Sequence, residues 1–483
     1  MSEVLLLQGE YDAAEKWLDQ AEGSVGSEMD QAHLLMKRGE LYFKRGNKDQ
    51  AVGCFEAALQ RLHQPICKNR LQLGWSLAVE GMRQFRNSLF PRFSGRCDQV
   101  PSEQEQMSLS LYSKIAHAYW FTRTKYFTLW AHLRGMNAAE SFQTTRFLAQ
   151  SYSEHAPVMT LIRWEKRGME YGKRSLEIRK ALGDAWGQGQ TRNFLSILHF
   201  SFSRYEACIE QGRQAVEILE RTGDYWEVHI ARYQLAASLY RIGQLDEAIE
   251  LAQVNYQSAL QRGDFQGTGN IIDVWVRAAR GNMPIEVIDL ELSREVIDAQ
   301  RTCQVLIAKG VHDFFQHHFE EAATSFAEAV SVARKTKVSN SYVSPSYPWL
   351  CTALRRKLET ADLRCLSERR KWVKQLLRCA LQAVAVARQF TNDRPHALRE
   401  YAAVLAICGK SRKSRAMFQR SLDLARAHKA DVEEAETRVL HAEYGRELGW
   451  PIDQDALEQA QMRLSQLGKG QHNVNEGGSL SLL

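Results

Sequence analysis

The chain has 483 residues, of which 44% are hydrophobic and 25% charged, and its formal net charge is +6. This composition excludes bulk disorder, and so small a charge excludes a surface that is basic all over and coats nucleic acid. The sequence shows neither a basic-plus-apolar leader nor an apolar run long enough to cross a membrane, which predicts a soluble, cytoplasmic protein. The nine cysteines include no Cys-x-x-Cys pair, which fits a reducing compartment without a disulfide framework.

The N-terminal block, residues 1–87, begins with a turn at Gly9 that leads into an amphipathic helix. Too few residues precede Gly9 for a stable partner helix, so we expect the first helix pair to be incomplete, either because the N-terminus is frayed or because the chain continues a longer array. The clearest repeat follows at residues 31–65. Its small residues let two antiparallel helices approach closely, and its aromatic residues fill the groove between them. These packing residues are Gly39, Tyr42, Gly46, Ala51, Phe55 and Ala58.

This pattern resembles the tetratricopeptide repeat (TPR) family. The resemblance implies an all-α fold, a right-handed α-solenoid of TPR-like antiparallel helix pairs. The same frame returns more loosely at residues 243–252, 310–329 and 402–418. In the first two of these segments the expected packing residues are Gly243, Ala248, Ala322 and Phe326.

A loop with two prolines is expected at residues 88–102, before helices resume at 103–151 with a high density of aromatic residues. The aromatic residues between positions 112 and 130 recur at spacings of three, four and seven, as on one packed helix face. They predict core packing, and a stacking platform for a partner stays open as the alternative. The candidate partner-binding residues here are Tyr119, Trp120 and Trp130. The Pro157 ring predicts a break or kink at residues 153–157.

The central block, residues 103–282, contains one local event three times at a spacing of forty residues. A glycine follows an apolar-periodic run and is itself followed by aspartate, at Gly183, Gly223 and Gly263. Glycine supplies the left-handed C-cap of one helix, and the aspartate can N-cap the next helix. Each Gly-Asp pair therefore predicts a joint between helix pairs.

The C-terminal block, residues 283–467, reads as further TPR-like pairs, and the polar residues 468–483 predict a disordered tail. Basic residues are concentrated at 355–378. Such a cluster predicts either a contact with nucleic acid, an acidic partner or a phosphorylated segment, or a solvated loop and helix face. The candidate partner-binding residues in this stretch are Arg369, Arg370, Lys371 and Lys374.

Motifs that carry chemistry are incomplete. Gly409-Lys410-Ser411 ends like a phosphate-binding loop, but Val404 stands where that loop needs glycine, and the context is helical. We therefore expect no catalytic residue, cofactor or metal, and no enzyme activity.

A second resemblance is carried by residues 129–137, 152–159, 185–190, 219–228 and 394–400. These runs resemble the C-terminal helical-repeat region of large bacterial signalling proteins, in which a Ser/Thr kinase or cyclase module and a signal-transducing NTPase precede the repeats. The resemblance implies a non-catalytic scaffold or sensor arm that binds a partner protein or peptide on a concave helical surface. A regulatory region that responds to a small ligand is the alternative, and an enzyme of unrecognised type is a third interpretation. Membrane and nucleic-acid partners are not expected.

Overall fold

The fold is all-α throughout the part of the chain that the computed structural model describes, which is residues 5–6, 10–23, 26–89, 99–295, 298–361 and 366–469. Most successive helices are joined by short turns and pack on one another as hairpins, whereas the helix Arg70–Leu89 packs on Lys125–Ala139. The predicted α-solenoid class is confirmed. No helix in these ranges combines the length and the apolar character needed to cross a bilayer.

The first eleven helices cover the N-terminal block and the first two forty-residue repeats. They are α1 (Tyr11–Glu22), α2 (Glu28–Lys44), α3 (Lys48–Arg61), α4 (Arg70–Leu89), α5 (Glu103–Thr122), α6 (Lys125–Ala139), α7 (Arg146–Thr160), α8 (Glu165–Ala181), α9 (Ala185–Ser201), α10 (Tyr205–Thr222) and α11 (Tyr225–Arg241).

The remaining helices complete the third repeat and form the C-terminal block. They are α12 (Leu245–Gln261), α13 (Phe265–Ala278), α14 (Ile285–Ser293), α15 (Ala299–Phe315), α16 (Phe319–Thr336), α17 (Ser346–Thr360), α18 (Leu366–Ala387), α19 (Arg394–Ile407), α20 (Ser411–His428), α21 (Asp431–Leu448) and α22 (Gln454–Lys469).

The chain divides into two compact units, each assembled from separated segments. Unit 1 comprises Met1–Leu198, Glu210–Arg232 and Gln257–Gly267. Unit 2 comprises His199–Ile209, Tyr233–Tyr256 and Thr268–Leu483. The units are defined by contacts rather than by repeat type, so the three predicted blocks of repeats stay a prediction.

Close helix packing in the hairpins depends on glycine facing phenylalanine. A Cβ added at Gly39 in α2 would lie 2.4 Å from Cε1 of Phe55 in α3. A Cβ added at Gly310 in α15 would lie 2.7 Å from Cε1 of Phe326 in α16. Both phenylalanine rings are almost fully buried and have no room to retreat. Two hairpins far apart in the chain therefore use the same packing device.

The Gly-Asp joints at 183, 223 and 263 share one backbone geometry. Gly183, Gly223 and Gly263 have φ angles of 65°, 80° and 65°, in the left-handed region that favours glycine. The next residue then caps the following helix. Asp184 Oδ1 accepts a hydrogen bond from the backbone N–H of Gly187 at 2.8 Å, and Asp264 Oδ1 accepts one from Gly267 at 2.9 Å.

Some sequence expectations need correction or lie outside the described residues. Of the break or kink expected at 153–157, the break is wrong, because α7 continues through Pro157 to Thr160; a kink at Pro157 stays a prediction. Pro157 lies in the last turn of α7, so the one hydrogen bond that its missing N–H removes, to the carbonyl of Ser153, is near the end of the helix. The predicted loop at 88–102 falls between α4 and α5, but residues 90–98 lie outside the described part, as does the predicted tail from residue 470 onwards.

The glycine–phenylalanine packing gives a testable pair of substitutions. Gly39→Ala should destabilise the protein by about 1–3 kcal/mol, because the new methyl group overlaps the buried Phe55 ring. Gly53→Ala in the middle of α3 should instead be neutral or stabilising by up to ~1 kcal/mol, because its Cβ would meet nothing within 4 Å and alanine favours helix. Urea unfolding midpoints measure both, and equal midpoints for the two variants would contradict this packing.

Candidate interaction surfaces

The predicted aromatic platform is mostly enclosed in the core of unit 1. Tyr119 and Trp130 are 0% and 2% exposed, whereas Trp120 is half-buried. The Tyr119 hydroxyl donates to Glu56 Oε1 at 2.8 Å, and the Trp130 ring meets the edge of Tyr112. The partner-binding role predicted for Tyr119 and Trp130 is therefore wrong, because the chain itself covers both rings. Only Trp120 stays a candidate in this segment.

The first part of the basic stretch is used internally. Arg355 in α17 is buried, and its guanidinium donates to Glu400 at 2.7 Å and to Glu359 at 2.9 Å. Lys357 reaches Glu320 at 2.7 Å. Arg364 lies outside the described residues. The positive charge of residues 355–357 is therefore already compensated within the chain.

The second part of the basic stretch is exposed on α18. None of its basic side chains lies within ion-pair distance of a carboxylate in the described ranges. The exposed residues are Arg369, Arg370, Lys371, Lys374 and Arg378. At 3.6 residues per turn, Arg370, Lys371, Lys374 and Arg378 fall within an arc of about 100°. We call these four residues the basic face of α18.

A buried charge cluster in unit 2 joins helices that are far apart in the chain. The Arg241 guanidinium donates to Asp393 at 2.5 Å and to Glu433 at 3.1 Å. Glu433 also accepts from Arg399 at 2.6 Å, and the Ser344 hydroxyl donates to Asp393. All four charged side chains are less than 5% exposed. We call Arg241, Asp393, Arg399 and Glu433 the Arg241 cluster.

Three of the four charges of the Arg241 cluster lie at helix ends that suit their signs. Arg241 is the last residue of α11, Asp393 directly precedes α19, and Glu433 lies in the first turn of α21. A cation at a helix C-terminus and anions at helix N-termini complement the helix dipoles. Burial opposes the charge of Arg241, but the carboxylates, led by Asp393, raise its pKa. The guanidinium therefore stays charged.

Unit 1 has a corresponding meeting of helix ends. Lys44, the last residue of α2, lies 3.9 Å from Asp224, which precedes α11. Lys48 donates at 3.1 Å to Gln266 in the first turn of α13, 218 residues further along the chain. Asp264 pairs with His229 at 2.6 Å. Burial alone would raise the pKa of Asp264, but the hydrogen bond and charge of His229 lower it.

Glu227, next to Asp224 in unit 1, is buried without a cation bonded to it. Its carboxylate accepts from Gln190 Nε2 at 2.8 Å and from Asn193 Nδ2 at 2.9 Å. Burial, reinforced by the negative charge of Asp224, raises the pKa of Glu227 to about 7. Gln190 Oε1 and Asn193 Oδ1 accept no hydrogen bond within the described structure. If Glu227 is protonated, its O–H can donate to the side-chain oxygen of Gln190 or Asn193 once that amide group rotates by 180°.

The sequence alone does not predict the Arg241 cluster or the paired charges of unit 1. In the sequence, Asp224 and Asp264 are predicted only as caps of the next helix. The sequence does show acidic residues at helix starts and basic residues at helix ends. This signal is local, so it does not say which start meets which end. Which two ends meet is set by packing over 192 residues for Arg241 and Glu433. The described residues bring no three His, Cys, Asp or Glu side chains together as a metal site.

Comparison with known proteins gives distant likenesses only. The chain matches no protein-family model and no curated protein. A Rap protein complexed with competence and sporulation factor is 10% identical, with 92% of this chain and 99% of that chain covered and a TM-score of 0.47. Aspartyl phosphate phosphatase F from Bacillus subtilis is 14% identical, with 95% and 98% covered and a TM-score of 0.34. The P58(IPK) TPR domain is 13% identical, with 97% of each chain covered and a TM-score of 0.25. The fold assignment therefore depends on the helices of this chain.

Glu227 predicts a pH-dependent difference between two proteins. A buried acid whose folded pKa lies above its unfolded value of about 4.3 lowers stability above the folded pKa, and this penalty disappears as the pH falls below the unfolded value. Glu227→Gln should thus be more stable than the unaltered protein at pH 8, by roughly 1–3 kcal/mol, and the difference should shrink towards pH 5. Thermal unfolding across this range measures it. A difference that is constant with pH would show that Glu227 is ionised throughout.

The Arg241 cluster predicts a large and local loss of stability. Arg241→Met leaves Asp393 and Glu433 buried with less compensation, which should cost about 3–5 kcal/mol. Lys429→Met is the matched control, because it breaks an exposed pair with Glu206 in the same unit and should cost about 0–1 kcal/mol. If both substitutions shift the urea midpoint equally, the cluster does not stabilise unit 2.

Proposed function

We propose that the chain is a non-catalytic interaction scaffold that binds a partner protein with an acidic surface through the basic face of α18. The observation that carries this proposal is the arrangement of exposed, uncompensated cations on one side of a single helix. Arg370 and Lys374, and Lys374 and Arg378, stand four residues apart, where like charges repel by a few tenths of a kcal/mol. Carboxylates of a bound partner would remove this repulsion.

The position of the basic face in α18 adds to the argument. Arg369, Arg370 and Lys371 lie near the N-terminal end of the helix, where the helix dipole disfavours cations. Helix stability therefore does not explain them. A single-stranded nucleic acid is a poorer fit, because the one ring in the segment, Trp372, is half-buried with the Lys357 ammonium 4.5 Å from its centre.

The proposal extends to bacterial signalling through the resemblance of residues 129–137 and 394–400 to helical-repeat regions that accompany kinase and NTPase modules. In this form the partner is a Ser/Thr kinase or a P-loop NTPase encoded next to this chain. Sequencing the neighbouring DNA and reconstituting the encoded module with this chain tests it. The small-ligand alternative stays a prediction.

Charge reversal tests the basic face of α18 directly. Proteins captured from an extract of its own cells by the full chain would be purified, and their Kd for the chain measured at low and high salt. R370E/K371E/K374E should weaken binding at least tenfold at low salt, and the loss should shrink at high salt. R412E/K413E/R415E on α20 makes the same charge change at three exposed positions and should leave the Kd unchanged. Equal binding by both triple variants would refute this surface.

A further inference from the structure

Helix α4 in unit 1 exposes a row of large apolar side chains. Their exposed fractions range from 55% to 88%. The residues are Leu71, Trp75, Met82, Phe85 and Leu89. Exposed apolar residues are common singly, but a contiguous set on one helix marks an interaction site. An exposed tryptophan at such a surface is a typical binding hot spot.

The row follows the spacing of a coiled-coil seam. Together with exposed Ala78, the residues succeed one another at intervals of four, three, four, three and four. At 3.6 residues per turn they lie within an arc of about 80°. The opposite side of α4 carries the buried residues Leu73, Glu80 and Gln84, by which the helix is attached to unit 1. We call this row the α4 seam. Its spacing matches packing against a second helix.

Two glycines border the α4 seam without a packing role in this chain. Gly74 and Gly81 lie seven residues apart inside the helix, and a Cβ added at either would meet nothing within 4 Å. Each costs helix stability of about 1 kcal/mol relative to alanine. Gly39, by contrast, is required by Phe55 of this chain. Glycine at positions 74 and 81 becomes useful when another backbone approaches the seam closely.

The charges around the α4 seam are all of one sign. The exposed charged residues between positions 68 and 89 are Lys68, Arg70, Arg83 and Arg86. The acidic residue of α4, Glu80, is buried and bonded to Arg134 and Asn137, each at 2.8 Å, and to Arg83 at 3.2 Å. Arg83 is therefore partly neutralised, whereas Lys68, Arg70 and Arg86 form no ion pair with the described residues. Arg70 begins the helix, where the dipole adds further positive potential. A matching surface therefore carries carboxylates beside its apolar residues.

We propose that the α4 seam binds an amphipathic helix of a partner protein, whose apolar row is flanked by Asp and Glu. A second copy of this chain fits poorly, because two seams face to face would bring basic residues against basic residues in either direction. The proposal concerns a different helix from the basic face of α18. Each can therefore fail without the other.

The probe is a synthetic peptide of three heptads with leucine at the seam positions and glutamate at the flanking positions. Its twin has lysine at the flanking positions. Fluorescence anisotropy with the full chain in 0.1 M salt should give a Kd at least tenfold lower for the glutamate peptide. The difference should shrink in 0.5 M salt, where the screening length is about half as long. Equal affinity for both peptides, or no binding of either, would overturn the proposal.

Substitutions locate the bound peptide. Trp75→Ala and Met82→Ala should each weaken binding of the glutamate peptide at least tenfold, with the melting temperature unchanged because both side chains are exposed. Trp17→Ala removes an exposed tryptophan from α1 and should leave the Kd unchanged. Gly74→Ala and Gly81→Ala should raise the melting temperature but weaken binding. If these variants lost binding because the fold was damaged, the melting temperature would fall together with the affinity for the glutamate peptide.

Two further results would overturn the proposal. If the chain alone sediments as a dimer and the Trp75→Ala variant sediments as a monomer, a second copy of the chain occupies the α4 seam. Slow thiol labelling of a Phe85→Cys variant in the peptide-free monomer would show that another segment of the chain covers the seam. The proposal requires that the chain alone sediments as a monomer. It also requires that the thiol of the Phe85→Cys variant is labelled rapidly and that the glutamate peptide blocks this labelling.

Discussion

Paired charges at helix ends, buried or partly buried, connect helices that are distant in sequence within each unit. Arg241 closes α11 and meets acidic residues at the starts of α19 and α21, while Lys44 closes α2 and meets Asp224 at the start of α11. Burying these charges is costly, so well-packed apolar residues could stabilise the same contact more. We infer that the opposite charges select which helices pair, because sliding one helix pair along its neighbour would leave a buried charge without its partner.

This arrangement directs the search for function to outward helix faces. The polar side chains of the Arg241 cluster already bond to one another, and the aromatic rings of Tyr119 and Trp130 are enclosed. Two helices retain features that their own contacts do not explain. The basic face of α18 carries repelling cations, and the α4 seam exposes apolar rings with surface glycines beside them. Both features become favourable only with a partner of complementary chemistry.

Hydrophobic periodicity was enough to predict the fold class and most helix positions. The helices expected to resume at residue 103 begin at Glu103, and the joints expected at Gly223 and Gly263 separate α10 from α11 and α12 from α13. Periodicity does not say which neighbour covers an apolar face. The aromatic row at 112–130 and the α4 seam have similar spacings, yet Tyr112, Tyr119 and Trp130 are buried in the core of unit 1 and the α4 seam is exposed. Pairing of Arg241 with Glu433 was equally beyond prediction, because no local rule links positions 192 residues apart.

Hydroxyl-radical footprinting of the full chain, free and bound to proteins captured from its own cells, tests most directly whether function lies on these outward faces. We predict that bound partners protect Trp75, Met82 and Phe85 on α4, or the half-buried Trp372 on α18, while Trp17 on α1 stays reactive. Protection confined to Trp17 and other exposed residues outside α4 and α18 would contradict the assignment of either surface.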